Sequence, residues 1–252
     1  MQQAGHEEQV RPARPHTGRT RDGRRIREVL SYSRRGSRLT DAQAAAWRRL
    51  ADRWWIPEEA VDDPGFDITA TFGRDAPLVV EVGPGVGEAT AALAAARPSY
   101  NVLAFEVWRP GVAQILMRLE QAGLTNVRVA GVDAVWALEH LLRPASVTEL
   151  WTFFPDPWPK TRHRKRRLVT PAFAAVAASR LRPGGCWRLA TDWPDYAAQM
   201  VSVLDAEPLL TSEYDGPAPR WSERPVTRFE RRGIREGRVI TDLVYRRAPD
   251  PI

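Results

Sequence analysis

The chain holds one cysteine, Cys186, in 252 residues. A lone thiol closes no intramolecular disulfide and offers no cysteine framework for zinc, so a reducing compartment and a metal-free site are expected. Long apolar runs are missing as well. No stretch approaches the roughly 18 consecutive apolar residues of a membrane span, and no apolar core follows the charged first residues. These features predict a cytoplasmic protein with no membrane association. Lysine is nearly absent: Lys160 and Lys165 are the whole set, so 35 of the 37 basic residues are Arg. Alanine is abundant throughout, and a compositional bias explains both features most simply.

What the chain does have is unevenly placed. Its formal charge of +6 sits within residues 1–40, where ten Arg face Glu7, Glu8, Asp22 and Glu28, while the remainder balances 27 against 27. Residues 1–25 are rich in Arg, Pro, Gly and Gln, and they cannot bury enough apolar surface to offset the entropy of ordering. We expect a tail over 1–25, a helical extension over 26–75 and one main domain over 76–252. In the extension, Thr40 or Asp41 can cap a helix from Ala42 to Trp55, ended by Pro57.

Strands and helices then alternate. Apolar runs predict strands at 78–82, 101–107, 127–132, 148–154 and 186–191, with helices at 88–97, 110–123, 134–143, 171–181 and 194–204. A closing strand is expected at 239–246, after an Arg-rich loop. Such alternation implies an α/β fold with a doubly wound, mostly parallel sheet of seven strands, whose ligands bind at the carboxyl ends of the strands.

Three acidic residues fall at three successive strand ends. The first, Glu81, precedes Gly83, Gly85 and Gly87, after which a helix opens at Glu88. A dinucleotide fingerprint requires glycine at 88, so a pyrophosphate cradle is disfavoured. An acid beside the glycines suits a cationic ligand, and S-adenosylmethionine carries both sulfonium and ammonium. Glu106 can accept from two ribose hydroxyls, and Asp133 can meet an adenine amino group.

The fourth strand ends in Phe153 and Phe154, followed by Pro155, Asp156, Pro157, Trp158 and Pro159. Prolines fix their own φ and bias their neighbours to extended geometry, so Asp156 becomes a preorganised carboxylate. Beyond it, Lys160, Arg162, Arg164, Lys165, Arg166 and Arg167 surround His163 without one acid, a pattern suited to phosphate contact. Trp158 can pack or stack on a base.

Four segments in order, EVGPGVG at 81–87, FFPDPWPKTRHRKRRLV at 153–169, ATDW at 190–193 and RPVTRFERRG at 224–233, resemble the bacterial single-subunit tRNA (guanine-N7-)-methyltransferase family. The resemblance spans roughly residues 30 to 247. It implies a class I, Rossmann-like methyltransferase domain over 76–252 that methylates N7 of the variable-loop guanine of tRNA. It further implies that Glu81, Gly83, Gly85, Gly87, Glu106, Asp133 and Asp156 hold S-adenosylmethionine, with Asp156 shared with catalysis. Lys160, Asp192, Thr227, Arg228, Phe229 and Glu230 would bind the substrate, and Arg162 to Arg167, with His163, would touch the RNA. Arg228 stands where the family often has lysine. No obligatory protein partner is implied, and the chain is expected as a monomer or homodimer. The residues alone also fit a methyltransferase of another RNA or a small molecule, or a non-catalytic RNA-binding protein that has kept the fold.

Overall fold

The structure, a computed structural model, describes residues 31, 32 and 36–249, so the expected tail over 1–25 lies outside the described residues. Strands β1 (Trp55–Ile56), β2 (Leu78–Val82), β3 (Asn101–Phe105), β4 (Val127–Ala130), β5 (Val147–Phe153), β6 (Leu181–Thr191), β7 (Leu210–Ser212) and β8 (Thr241–Arg247) form one sheet. Their order is β1-β4-β3-β2-β5-β6-β8-β7, parallel from β1 to β6, with β8 antiparallel to both of its neighbours. The expected seven strands are therefore eight. Two of them match none of the located runs: the two-residue β1, which extends the β4 edge by pairing Trp55 with Val129 and Ile56 with Ala130, and the three-residue β7 at the other edge.

Helices cover both faces, which is why β2 and β3 are buried along their whole length. On one face lie α1 (Asp41–Trp54), α2 (Glu88–Ala96) and α3 (Arg109–Gln121), packing Leu50, Trp54, Leu93, Ile115 and Leu116 against Val79, Val102 and Val129. The other carries α4 (Ala134–Leu141), α5 (Pro171–Arg180) and α6 (Pro194–Asp205), whose Trp136, Phe173 and Met200 meet Val80, Leu103, Leu150 and Trp187. Each such fully buried aliphatic or aromatic side chain contributes about 1.5–3 kcal/mol over its exposed state.

The extension joins this body through α1. Thr40 caps it in a reciprocal box with Gln43, and the Trp54 indole donates to Leu124 O at 2.9 Å. From the central β2 the chain winds outward through β3 to β4, then crosses to β5 and β6 on the other side. That reversal opens a crevice at the carboxyl ends of β2, β3 and β5. The last helix, α7 (Arg228–Arg235), lies across this end of the sheet, with Phe229 against Gly85 and Gly233 against Asp192.

Candidate active site

The loop after β2 turns through three left-handed glycines, Gly83, Gly85 and Gly87. Close packing decides the last of them. A Cβ on Gly87 would lie 2.7 Å from Ile115 Cγ1, so Gly87 lets α2 approach α3 and does not face the crevice. A glycine that the motif reading overlooked completes the loop: a Cβ on Gly111 of α3 would stand 2.3 Å from Gly85 O. Its sequence signal is a glycine beside Pro110 in the first turn of a helix, where glycine is otherwise a poor choice.

The three strand-end acids sit around this loop. Glu81 is 2 % exposed, and its Oε2 has no hydrogen-bond partner among the described residues. Burial pushes its carboxyl up to about 7, reinforced by the Glu106 charge and opposed by the Thr90 hydroxyl. Glu106 braces the loop itself: Gly85 N donates to Oε2 and Trp108 N to Oε1, each at 2.8 Å. Asp133 caps α4, its Oδ1 accepting from Val135 N at 3.0 Å and Trp136 N at 3.1 Å. Burial raises the Asp133 carboxyl, and those two N–H groups oppose the rise.

A cavity joins these parts. Of the residues expected at the site, Gly83, Gly85, Glu106, Asp133, Asp156 and Phe229 line it. Ser31, Tyr32 and Trp108, which no sequence motif marks, also line it, as does Leu168 near the end of the 153–169 segment. Among the described residues its wall carries three carboxylates and no Lys or Arg, with the unpartnered Glu81 behind it. That donor set fits a cationic ligand with a hydroxylated, aromatic body and repels a phosphate. S-adenosylmethionine meets both conditions.

The loop after β5 is held under strain. Phe154 and Trp158 take left-handed φ of 53° and 44°, conformations that non-glycine residues keep only where surroundings enforce them. Arg166 lies over the Trp158 ring at 3.7 Å, and the Trp158 indole donates to Ser31 O at 3.0 Å. Trp158 is thus packed on one face by a guanidinium. Arg167 departs from the expected RNA contact. Its side chain is 1 % exposed and spent on Pro157 O, Gln199 Oε1 and Asp195 Oδ2, which fastens the loop to α6. Lys160, Arg162, Arg164 and Lys165 remain exposed, with Arg164 also on Asp195, while His163 and Arg166 are half-buried. Desolvation, and then the cations of Arg162, Lys160 and Arg166 around it, hold the His163 imidazole below the usual range.

Beyond the cavity, Asp192 directly follows β6, accepting from Arg238 Nε at 2.8 Å. Within 227–230 the four residues separate. Thr227 caps α7, Arg228 is exposed, Phe229 reaches the cavity, and Glu230 is buried at 1 % exposure. Glu230 belongs to a network: Arg224 donates to it at 2.6 Å and Arg220 at 2.7 Å, while Arg224 also forks onto Asp242 at 2.9 and 3.0 Å. Arg224 lies within 5.3 Å of the Phe154 ring, so the network ties α7 and β8 to the strained loop.

Comparison with known proteins gives concordant results. Residues 75–243 match a family model described as "Putative methyltransferase". A tRNA (guanine-N(7)-)-methyltransferase of Nocardioides sp. is 63 % identical over 238 residues, covering 94 % of this chain and 95 % of the relative. One of Cutibacterium acnes is 50 % identical over 244 residues, covering 92 % and 88 %. Among solved structures, the 16S rRNA methyltransferase KamB superposes with a TM-score of 0.50 at 18 % identity, over 89 % of this chain and all of that one. At that identity the likeness is one of fold.

Proposed function

This chain belongs to the tRNA (guanine-N7-)-methyltransferase family, and we propose that its chemistry takes place in the crevice at the carboxyl ends of β2, β3 and β5. The enzyme methylates N7 of guanine in tRNA and uses S-adenosylmethionine. The observation that carries the site reading is one loop, 153–167, which brings an acid-lined cavity and an exposed basic run together.

When bound, S-adenosylmethionine supplies a methyl group already activated on a sulfonium. Glu81, with its unpartnered oxygen, and Glu106 and Asp133 on or beside the cavity wall, form the binding set. Guanine N7 carries an in-plane lone pair and no proton, so no general base is required. Positioning dominates, and alignment alone can account for about 7–11 kcal/mol of a barrier at most. As the ring becomes cationic its N–H groups become stronger donors. Asp156, fixed between two prolines at the cavity wall, accepts from them more strongly in the transition state than in the ground state.

Lys160, Asp192, Arg228 and Phe229 are assigned to direct substrate contact. Thr227 and Glu230 act as positioning residues, because one caps α7 and the other is enclosed by Arg220 and Arg224. Arg162, His163, Arg164, Lys165 and Arg166 face the RNA. We assign the target to the variable-loop guanine on the strength of the family motifs. On the strength of the same motifs we assign the enzyme action without an obligatory protein partner, as a monomer or homodimer, in the cytoplasm. The test is nucleoside analysis of unmodified tRNA incubated with labelled S-adenosylmethionine and the protein, with and without a variable-loop guanine-to-adenine change. N7-methylguanosine in the first and no label in the second is expected; label in both places the target elsewhere.

A further inference from the structure

The four exposed residues Arg228, Arg231, Arg232 and Arg235 recur on α7 at i, i+3, i+4 and i+7, so they share one stripe on the helix. Like charges at this spacing disfavour an isolated helix. The buried side holds it instead, through the Thr227 cap and the Arg220–Glu230–Arg224 network. Gly233 packs so tightly there that a Cβ would lie 2.8 Å from Asp192 Oδ2. Arg231 and Arg232 each reach one carboxylate, Glu88 and Glu236, yet keep 54 % and 67 % of their side-chain surface exposed. No carboxylate among the described residues pairs with Arg228 or Arg235. The stripe is thus a repulsive feature maintained at the surface, with exposed Ile234 and Val226 beside it.

Its location gives it a use. Phe229 on the same helix reaches the cavity beside Gly85, so the stripe begins at the mouth. α7 is fastened to α2, since Arg228 N and Arg231 Nη2 both donate to the Glu88 carboxylate. The basic run after β5 is fastened to α6, since Arg164 and Arg167 both hold Asp195. α7 thus runs from Glu88 at the start of α2 to Asp192 just before α6, so its arginine stripe spans the mouth, while the basic run borders the mouth on the α6 side.

We infer that the arginine face of α7 is a second phosphate-contacting surface, which grips the RNA backbone across the mouth of the cavity, separately from the basic run. This rests on the tRNA reading above. Guanidinium forks match phosphate oxygens in pairs, and the stripe runs about 10 Å along the helix, enough to meet more than one phosphate.

The test measures binding of unmodified tRNA to the full chain with saturating S-adenosylhomocysteine, at salt concentrations from 50 to 200 mM. The variants are R232Q/R235Q and, separately, K160Q/R162Q/K165Q. Each lost phosphate contact flattens the log-affinity against log-salt slope by about 0.7–0.9. R232Q/R235Q is expected to flatten it by roughly 1.4–1.8, so the wild-type advantage shrinks about tenfold over that range. Cofactor affinity should be unchanged in both variants, which verifies folding. A wild-type slope in R232Q/R235Q overturns the inference and leaves the tRNA reading intact, as does loss of all salt dependence in K160Q/R162Q/K165Q. Salt-insensitive tRNA binding by the wild type would overturn both.

Discussion

Lowering pH should weaken the cofactor through Glu81. Burial holds this carboxyl at about 7 in the cofactor-free protein, well above its ordinary value of 4.5. With a pKa of about 7, roughly three-quarters of the protein carries an ionised Glu81 at pH 7.5 and roughly a tenth at pH 6.0. If the cationic ligand selects the ionised form, its affinity falls about eightfold between those two pH values. Both lie at or below the range, about 7.7–8.0, where an α-amino group releases its own proton. Calorimetric titration in two buffers of different ionisation enthalpy should also detect close to one proton released per ligand at pH 6.0. Asp133 is raised by burial as well, so E81Q isolates the contribution and should bind weakly with little pH dependence. The stability of the cofactor-free protein moves with the same group. Its native state keeps a proton that the unfolded chain releases above about 4.5, so stability falls as pH rises from about 4.5 to about 7. The full swing is roughly 3 kcal/mol, and it should be reduced by saturating ligand. An affinity that is flat from pH 7.5 to 6.0, or that falls equally in E81Q, would refute this reasoning.

Other consequences follow from the packing. R224M should lower unfolding free energy by about 3–5 kcal/mol in urea titration, because it strands Asp242 in the interior and leaves Glu230 with Arg220 alone. R167A should lose about 2 kcal/mol and slow methyl transfer while leaving the salt slope of tRNA binding at the wild-type value, since its guanidinium is enclosed. G111A should press the Gly85 carbonyl out of place, at a cost of about 1–3 kcal/mol in stability, and cofactor affinity measured by calorimetry should drop at least tenfold.

The central strands were legible because a parallel sheet covered on both faces needs continuous apolar runs, and LVVEV at 78–82 and NVLAF at 101–105 provide them. The edge strands were not. β1 has two residues and follows α1 directly, so its Trp55 reads as the end of the helix, and the three-residue β7 has no periodicity to detect. The Arg-rich segment before β8 likewise reads as loop, because the face that makes α7 a helix is a charge network and a glycine contact in place of an apolar stripe. At the site, Glu106, Asp133 and Asp156 were legible from their places at strand ends. Arg167 was not distinguishable from its neighbours in the basic run, since its partners Asp195 and Gln199 lie 28 and 32 residues further on. The parts played by Gly87 and Gly111 also depend on where α3 packs, which no local pattern encodes.

The central claim is that Asp156 stabilises the alkylated ring at the end of β5. It is tested most directly by single-turnover methyl transfer to unmodified tRNA in D156A, at cofactor and tRNA concentrations shown separately to saturate the variant. Loss of one preorganised electrostatic contact predicts a fall of about 100- to 1,000-fold in the transfer step. Transfer at a near-normal rate under saturation would contradict it.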